Sequence, residues 1–422
     1  MIASERGVRM INIAVLGYGI VGSGVVEVLK KNKEGIAKKA GKTIQVKYIL
    51  DIRDFPDSPE KDLITKNPDD IFNDSDVSIV VETIGGIGIA YEFTKRALIQ
   101  GKSVVTSNKE LVATHGPELM RIAKEKGIHY KFEASVGGGI PIIKPLYECL
   151  SANEIISIAG ILNGTTNYIL TSMANENKDF ETALKDAQSK GYAEANPSDD
   201  IEGKDSCRKI AILSSIAFGE YVDYREIPTE GITKITVEDL KLIESLNSKI
   251  KLIGFSKREK GKILAKVCPC VVNKSNALAN VEDVFNAILV SGDSIGEVMF
   301  YGRGAGKFPT ASAVVNDVID VIKYSDWDDV QVWDVSSESN FIKPEESDAK
   351  YFVRIMVRSK EEAKKYIIER FGKVDVFEIA GYSNQLMFKT LIENEGEIIK
   401  KIQCLQEIGS VKRVLTSLRI LE

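Results

Sequence analysis

The stretch "MINIAVLGYGIVGSGVVEVLKK", Met10 to Lys31, decides the fold. Ile11 to Leu16 reads as a short apolar strand, a glycine turn follows, and Val21, Val25, Val28 and Leu29 then recur at helical spacing on one face. "GYGIVG" sets Gly17, Gly19 and Gly22 in the pattern G-x-G-x-x-G between strand and helix. Each glycine has a physical task there: a tight turn, close approach of backbone to a pyrophosphate, and close helix packing. The pyrophosphate rests on the positive end of the helix. Gly17, Gly19, Ile20, Val21 and Gly22 are therefore candidate dinucleotide contacts.

Downstream, "IQVKYIL", "VSIVVET", "KSVVTS" and "IHYKFEAS" alternate with helical stretches such as "EFTKRALIQG" and "ELMRIAKEKG". That rhythm predicts an N-terminal, doubly wound parallel sheet of Rossmann type over residues 1–140. Residues 304–330, a glycine loop and a long apolar helix, are expected to pack back on it. Over 141–303 longer amphipathic segments, among them "VEDLKLIESLNSKIKLIGF", mix with isolated strands, which predicts a second, α+β domain. A polar stretch with Pro344, 331–348, reads as a linker. The remainder, 349–422, reads strand-helix-strand-strand-helix-strand, a βαββαβ ferredoxin-like module.

Composition excludes several classes. With 422 residues, a net charge of −5, 44% hydrophobic and 28% charged residues, the chain is an ordinary globular α/β protein of two or three domains. No basic block attracts nucleic acid. No apolar run approaches the ~20 residues that span a bilayer, and the N-terminal stretch lacks the pattern of a signal peptide, so a cytoplasmic location is expected. The five cysteines, Cys149, Cys207, Cys268, Cys270 and Cys404, are too scattered for a disulfide framework, and "CPC" has no second Cys/His pair at ligand spacing. Only His115 and His129 occur, which removes histidine triads and multi-histidine zinc sites. Proton transfer falls to Lys, Asp, Glu or Tyr.

Ligands of such a sheet lie beyond the carboxyl ends of its strands. Those ends carry Asp51 and Arg53, Glu82 and Thr83, Asn108 and Lys109, and "EASVGGGIP". Asp51 suits the ribose hydroxyls of NAD and Arg53 the 2′-phosphate of NADP, so both cofactors stay open, with NADP the slight favourite. "GYAEANPSDDIEGKDSCRKIAIL", Gly191 to Leu213, crowds Glu194, Asp199, Asp200, Glu202 and Asp205 ahead of a buried helix. Asp205 and Lys209 stand at i and i+4 on one face. Burial at the mouth of an apolar helix favours a neutral amine fit to take a proton, neighbouring carboxylates oppose that, and the same acids suit an ammonium group. A nicotinamide pocket, acids for an amine, and lysines without histidine suit oxidation of an amino alcohol.

"GYGIVGSGV", "VVTSNKELVA", "EASVGGGIPII", "LNGTTNYIL", "GYAEANPSDDIEGKDSCRKIAIL" and "GRGAGKFPTASAVV" together resemble, in order and spacing, the signatures of the homoserine dehydrogenases, over roughly Ile11 to Lys323. The resemblance implies NAD(P)-dependent interconversion of L-homoserine and L-aspartate 4-semialdehyde, in threonine, methionine and isoleucine biosynthesis. It implies Lys209 as the catalytic lysine and Lys109 as a second one. Asp205, Glu194 and Asp200 match acids that bind or orient substrate, with Gly164, Thr165 and Tyr192 lining the pocket, and Gly306 a cofactor contact. Glu133, Val136, Gly138 and Ile140 match a sodium or potassium site built largely from backbone carbonyls. The resemblance also implies that the second domain, 141–303, is the catalytic, substrate-binding part and forms a homodimer. The last module is similar to the ACT regulatory domain, a binder of amino-acid effectors such as threonine, although "VRSKEEAKK" replaces the usual Asp-x-Pro-Gly turn. Two rival readings are aspartate semialdehyde dehydrogenase, which needs a cysteine nucleophile with a histidine base, and a nucleotide sensor, which needs no proton-transferring lysine.

Overall fold

The computed structural model describes residues 10–325, 332–335, 340–378 and 381–421. Over these the chain divides into two compact units, bounded as Met1–Glu154, Ala211–Tyr224 and Phe300–Ser337, and as Ile155–Ile210, Arg225–Met299 and Glu338–Glu422. No helix among the described residues is long and apolar enough to cross a membrane.

In the first unit six strands, β1 (Met10–Leu16), β2 (Thr43–Leu50), β3 (Ile64–Thr65), β4 (Val77–Glu82), β5 (Ser103–Thr106) and β6 (Tyr130–Lys131), form one sheet in the order β3-β2-β1-β4-β5-β6. All their pairings are parallel. That is the doubly wound order, and the chain reverses direction of winding between β1 and β4, where such sheets open a ligand crevice. Helices α1 (Ile20–Lys31), α2 (Lys33–Ala40), α3 (Asp69–Phe72), α4 (Gly88–Ile99) and α5 (Lys109–Lys126) connect the strands. A later helix, α11 (Lys307–Lys323), joins this unit: Val314, Val318 and Ile322 share a core with Ile13 and Val15 of β1 and Val25 of α1. Gly24 lets α11 close on α1, since a Cβ there would meet Lys307 O at 3.0 Å.

The second unit begins with β7 (Ile155–Ile161), followed by α6 (Gly164–Glu176), α7 (Phe180–Ser189), α8 (Ser198–Ile201), α9 (Lys204–Phe218) and α10 (Val237–Ser245). Strands β8 (Ser248–Glu259), β9 (Lys262–Asn273), β10 (Phe285–Gly292) and β11 (Gly296–Arg303) come next. After the short β12 (Asp348–Ala349) the chain runs β13 (Tyr351–Val357), α12 (Lys360–Phe371), β14 (Val376–Glu378), β15 (Gln385–Lys389), β16 (Glu393–Asn394), α13 (Glu395–Cys404) and β17 (Val411–Ile420). Nine strands make one mixed sheet in the order β11-β10-β7-β8-β9-β17-β13-β15-β14. Its last four are antiparallel neighbours in the ferredoxin-like order, covered by α12 and α13 through Ile367, Phe371, Ile398 and Ile402.

At four points the structure differs from these expectations. The terminal strands, 349–422, do not close a sheet of their own: β17 pairs in parallel with β9 through Arg419 and Ile420, and Asp239 of α10, fully buried, accepts hydrogen bonds from Arg354 Nη1 (2.7 Å) and Thr416 Oγ1 (2.5 Å). The boundary expected at residue 140 falls instead after Glu154, and a further boundary falls inside α9, between Ile210 and Ala211. Of the linker expected at 331–348, residues 331 and 336–339 lie outside the described residues, as do 326–330 of the segment expected to pack back. The rest is tied down by bridges Asp334–Glu220 and Phe341–Ile263, by β12 on β16, and by a buried Trp333. "VEDLKLIESLNSKIKLIGF" also divides: Asn247, at φ 55°, ends the helical part, and alternating Ile250 and Leu252 continue as β8.

Candidate active site

The glycine turn is built from absences. Gly17 takes φ +91°, and a Cβ on it would come within 2.9 Å of Thr83 O. A Cβ on Gly22 would overlap the Gly17 carbonyl oxygen, whereas one on Gly19 would find nothing within 4 Å. The open position leaves room beside the backbone, and the closed ones hold the turn. No side chain caps α1 and no acid stands in its first turn, so its first N–H groups and positive end are left to an anion. Ile20, 72% exposed, flanks that end, with Val21 half-buried behind it. Thr83 Oγ1 sits 2.9 Å from both Leu16 O and Gly17 O and so holds the turn.

Asp51, buried at the end of β2, accepts from Tyr18 N at 2.7 Å. Arg53 grips the same carboxylate with Nε at 2.9 Å and Nη2 at 2.8 Å, which holds its pKa well below the usual range. The two residues that pointed to different cofactors thus form one pair. At the end of β4 the fully buried Glu82 accepts from Ile84 N (2.7 Å) and Thr106 Oγ1 (2.5 Å), and burial pushes its pKa up. Lys109 is the first residue of α5, half-buried, beside the N-cap Asn108, whose side chain accepts from Leu111 N.

Glu133 behaves unlike an acid ligand. Its carboxylate accepts from the N–H groups of Ile142 (2.6 Å), Ile143 (2.8 Å) and Lys144 (2.7 Å), and its own N–H donates to Asp317 Oδ2 at 2.8 Å. Burial raises the pKa of both carboxyls, against the pull of those N–H groups on Glu133. Gly138, at φ +56°, lies so close to the loop before Gly306 that a Cβ would strike Gly304 O. Gly306, at φ +126°, precedes α11, which no side chain caps. Among the described residues the carbonyl oxygens of Val136, Gly138 and Ile140 accept no hydrogen bond. No cluster of three or more His, Cys, Asp or Glu stands at metal-binding spacing among them.

In the second unit Lys209 is 9% exposed on α9, and its Nζ donates to Leu162 O at 2.8 Å and to Asp205 Oδ2 at 2.7 Å. Asn163, between β7 and α6, organises the rest. Its Nδ2 donates to Asp205 Oδ2 (2.9 Å) and Asp200 Oδ1 (2.7 Å), while its Oδ1 caps α6 by accepting from Thr166 N at 2.9 Å. Gly164 follows, closed against Val284 O, and Thr165 Oγ1 donates to Tyr192 O at 2.6 Å. Tyr192 is 43% exposed and meets Tyr168 edge-on at 5.0 Å. Glu194 is exposed, with no hydrogen bond or ion pair to its carboxylate among the described residues. The exposed Asp199 pairs with the largely buried Arg208 at 2.7 Å, and Glu202 pairs with Lys204 on the surface.

The sequence-predicted residues thus fall into two sets: the glycine turn, Asp51, Arg53, Thr83, Lys109, Gly306 and the 133–140 loop in the first unit, and Gly164, Thr165, Tyr192, Glu194, Asp200, Asp205 and Lys209 in the second. Asn163 and the Leu162 carbonyl are what sequence reasoning missed. An asparagine immediately before a helical run is a capping signal, and that signal was present in "LNGTTNYIL".

Comparison with known proteins decides the family. The homoserine dehydrogenase NAD binding domain matches residues 17–133, and the homoserine dehydrogenase family matches residues 141–319. The homoserine dehydrogenase of Bacillus subtilis (strain 168) is 38% identical over 397 residues, 92% of this chain and 90% of its own length. The chain belongs to the homoserine dehydrogenase family. The crystal structure of a homoserine dehydrogenase from Thiobacillus denitrificans superposes with a TM-score of 0.89 at 35% identity, over 98% of this chain and 99% of that one. A hyperthermophilic archaeal homoserine dehydrogenase, solved in complex with NADPH, has a TM-score of 0.62 at 30% identity over 74% and 98%. As a homoserine dehydrogenase the chain is an NAD(P)-dependent oxidoreductase that interconverts L-homoserine and L-aspartate 4-semialdehyde, a reaction of amino-acid biosynthesis. Both rival readings, the semialdehyde dehydrogenase and the sensor without turnover, are set aside by this membership.

Proposed function

We propose that Lys209 moves the reacting proton of this homoserine dehydrogenase. The observation that carries the reading is an ammonium buried between Asp205 Oδ2 and Leu162 O, one proton donor held at fixed distance from two acceptors. In the reducing direction Lys209 donates its proton to the aldehyde oxygen; in the oxidising direction it takes the hydroxyl proton. When bound, the nicotinamide would supply or accept a hydride at the adjacent carbon. Asp205 fixes Lys209 and, with Asp200 and the unpartnered Glu194, faces the substrate ammonium; Gly164, Thr165 and Tyr192 line its pocket, and Lys109 acts as the second active-site lysine.

The uncapped α1 terminus and the bare Gly19 fit a pyrophosphate, with Ile20, Val21, Thr83 and Gly306 as further cofactor contacts. Arg53 neutralises Asp51 and leaves its own side chain 58% exposed, which removes the repulsion Asp51 would offer a 2′-phosphate and supports NADP over NAD. The NADPH bound by the archaeal relative agrees with that preference. The unclaimed carbonyls of Val136, Gly138 and Ile140 fit a hard monovalent cation, sodium or potassium, better than the Glu133 carboxylate, which is already engaged; Glu133 contributes through its backbone. Exposed Ile295, Met299 and Tyr301 on and beside the edge strand β11 suit a homodimer, and the 349–422 module an amino-acid effector such as threonine. A cytoplasmic location suits such a biosynthetic enzyme.

The test is oxidation of NADPH and of NADH with aspartate semialdehyde, followed by absorbance, for the native chain and for Lys209→Ala. Turnover by the native chain, preferring NADPH, and its loss in a folded Lys209→Ala are expected. Retained turnover in that variant would move the proton-transfer role elsewhere.

A further inference from the structure

Strand β9 carries "CPC", Cys268 and Cys270, two residues apart and so on one face of the sheet. Their sulfurs lie 3.6 Å apart, and both side chains are more than nine-tenths buried. β9 is an internal strand: Cys268 stands opposite Ile253 of β8, and Cys270 opposite Lys251 of β8 and Arg419 of β17. Pairing with β8 at both residues, and with β17 at Cys270, holds the two Cα atoms about two strand rises apart, ~6.8 Å, at the upper limit of what a disulfide spans. The pair is therefore a poor disulfide but a good pincer. Two thiolates on one tetrahedral ion with bonds of about 2.3 Å stand about 3.8 Å apart, close to the separation found.

Both cysteines line a pocket of about 210 Å³, whose wall also carries Lys257, Lys266, Lys350 and Arg419 against one acid, Asp348. Glu395 pairs with both Lys266 and Arg419, Glu230 pairs with Arg419 and Glu259 with Lys257, so the wall carries little net charge and accepts a neutral reagent. Arg419 and Lys266 still favour a thiolate at Cys268. Donation from Cys270 holds the Cys268 thiol below its ordinary range, while the same contact and burial push Cys270 up.

We propose that Cys268 and Cys270 form a dithiol site that captures one thiophilic atom of the trivalent arsenic class across both sulfurs. The step is a condensation. With an arsine oxide, the arsenic–oxygen bond breaks, two arsenic–sulfur bonds form, and the two thiol protons leave with the oxygen as water. No atom changes oxidation state, and the site's net charge is unchanged.

The experiment uses the full native chain and phenylarsine oxide, read by intact mass and peptide mapping. One phenylarsenic group per chain is expected, on the peptide containing Cys268 and Cys270, removed by a small dithiol and resistant to a monothiol. Cys268→Ser and Cys270→Ser each reduce the adduct from one per chain to none. Should either variant fail to fold, the mapped position in the native chain decides alone. An adduct on Cys149, Cys207 or Cys404, one that survives Cys268→Ser, or one that forms only in denaturant overturns the proposal.

Discussion

On the glycine turn from Gly17 to Gly22 no side-chain hydrogen bond caps the start of α1, whereas on the acid-rich turn from Asp199 to Asp205 all four carboxylates have a partner. The first works mainly through local geometry: Gly17 O closes Gly22 and leaves Gly19 open, with Thr83, 66 residues after Gly17, as the one distant partner that closes Gly17. The second works through partners, and the decisive one, Asn163, lies 37 residues before Asp200 and 42 before Asp205. Surface pairs such as Glu202–Lys204 contribute about 0–1 kcal/mol, while the buried Asp205–Lys209 pair is costly to break from one side. Acids adjacent in sequence thus have unequal consequences.

The comparison breaks most sharply at Lys209. Lys209→Ala is expected to lower kcat by about 10²–10⁴-fold, the usual worth of a positioned proton donor, with circular dichroism confirming the fold. Asn163→Ala comes next. Removing the amide that holds Asp205 against Lys209 should lower kcat on the order of 10²-fold, and losing the α6 cap should cost about 1 kcal/mol in urea unfolding. Asn163→Asp, which sets a third carboxylate against Asp200 and Asp205, should be worse on both counts; equal kinetics for the two variants and the native chain would show that Asn163 is only a cap.

The glycine turn sharpens the contrast from the other side. Gly22→Ala forces a Cβ onto Gly17 O and should destabilise by about 1–3 kcal/mol. Gly19→Ala meets no protein atom and should leave stability within about 0.5 kcal/mol while weakening NADPH binding by titration. If Gly19→Ala binds cofactor as tightly as the native chain, the open position is not where the ligand approaches.

The smallest effect concerns the buried carboxyls. Asp317 faces Glu133, Lys131 and Asp320, and burial raises its folded-state pKa above the unfolded value. In that window the folded state binds more protons than the unfolded one, so stability is greatest below the ordinary carboxylate range, about pH 4, and falls as pH rises toward the folded pKa. Asp317→Asn keeps an acceptor for Glu133 N–H and removes the titration. Its Tm is expected to exceed the native value by a few degrees at neutral pH, with the gain shrinking toward acid; a gain that grows toward acid would reverse the assignment.

By itself the sequence determined the parallel sheet, the glycine turn, α9 with Asp205 and Lys209 on one face, and the order of the terminal module, because each rests on periodicity or spacing within a few turns of chain. Only the tertiary structure decided the rest. It sorted Asp199 and Glu202 to the surface and Asp200 and Asp205 to Asn163, joined Asp51 to Arg53, turned the Glu133 carboxylate onto Ile142, Ile143 and Lys144, and ran β17 alongside β9. A carboxylate's role depends on which donor meets it after burial, and contacts made across tens of residues leave no period in the chain.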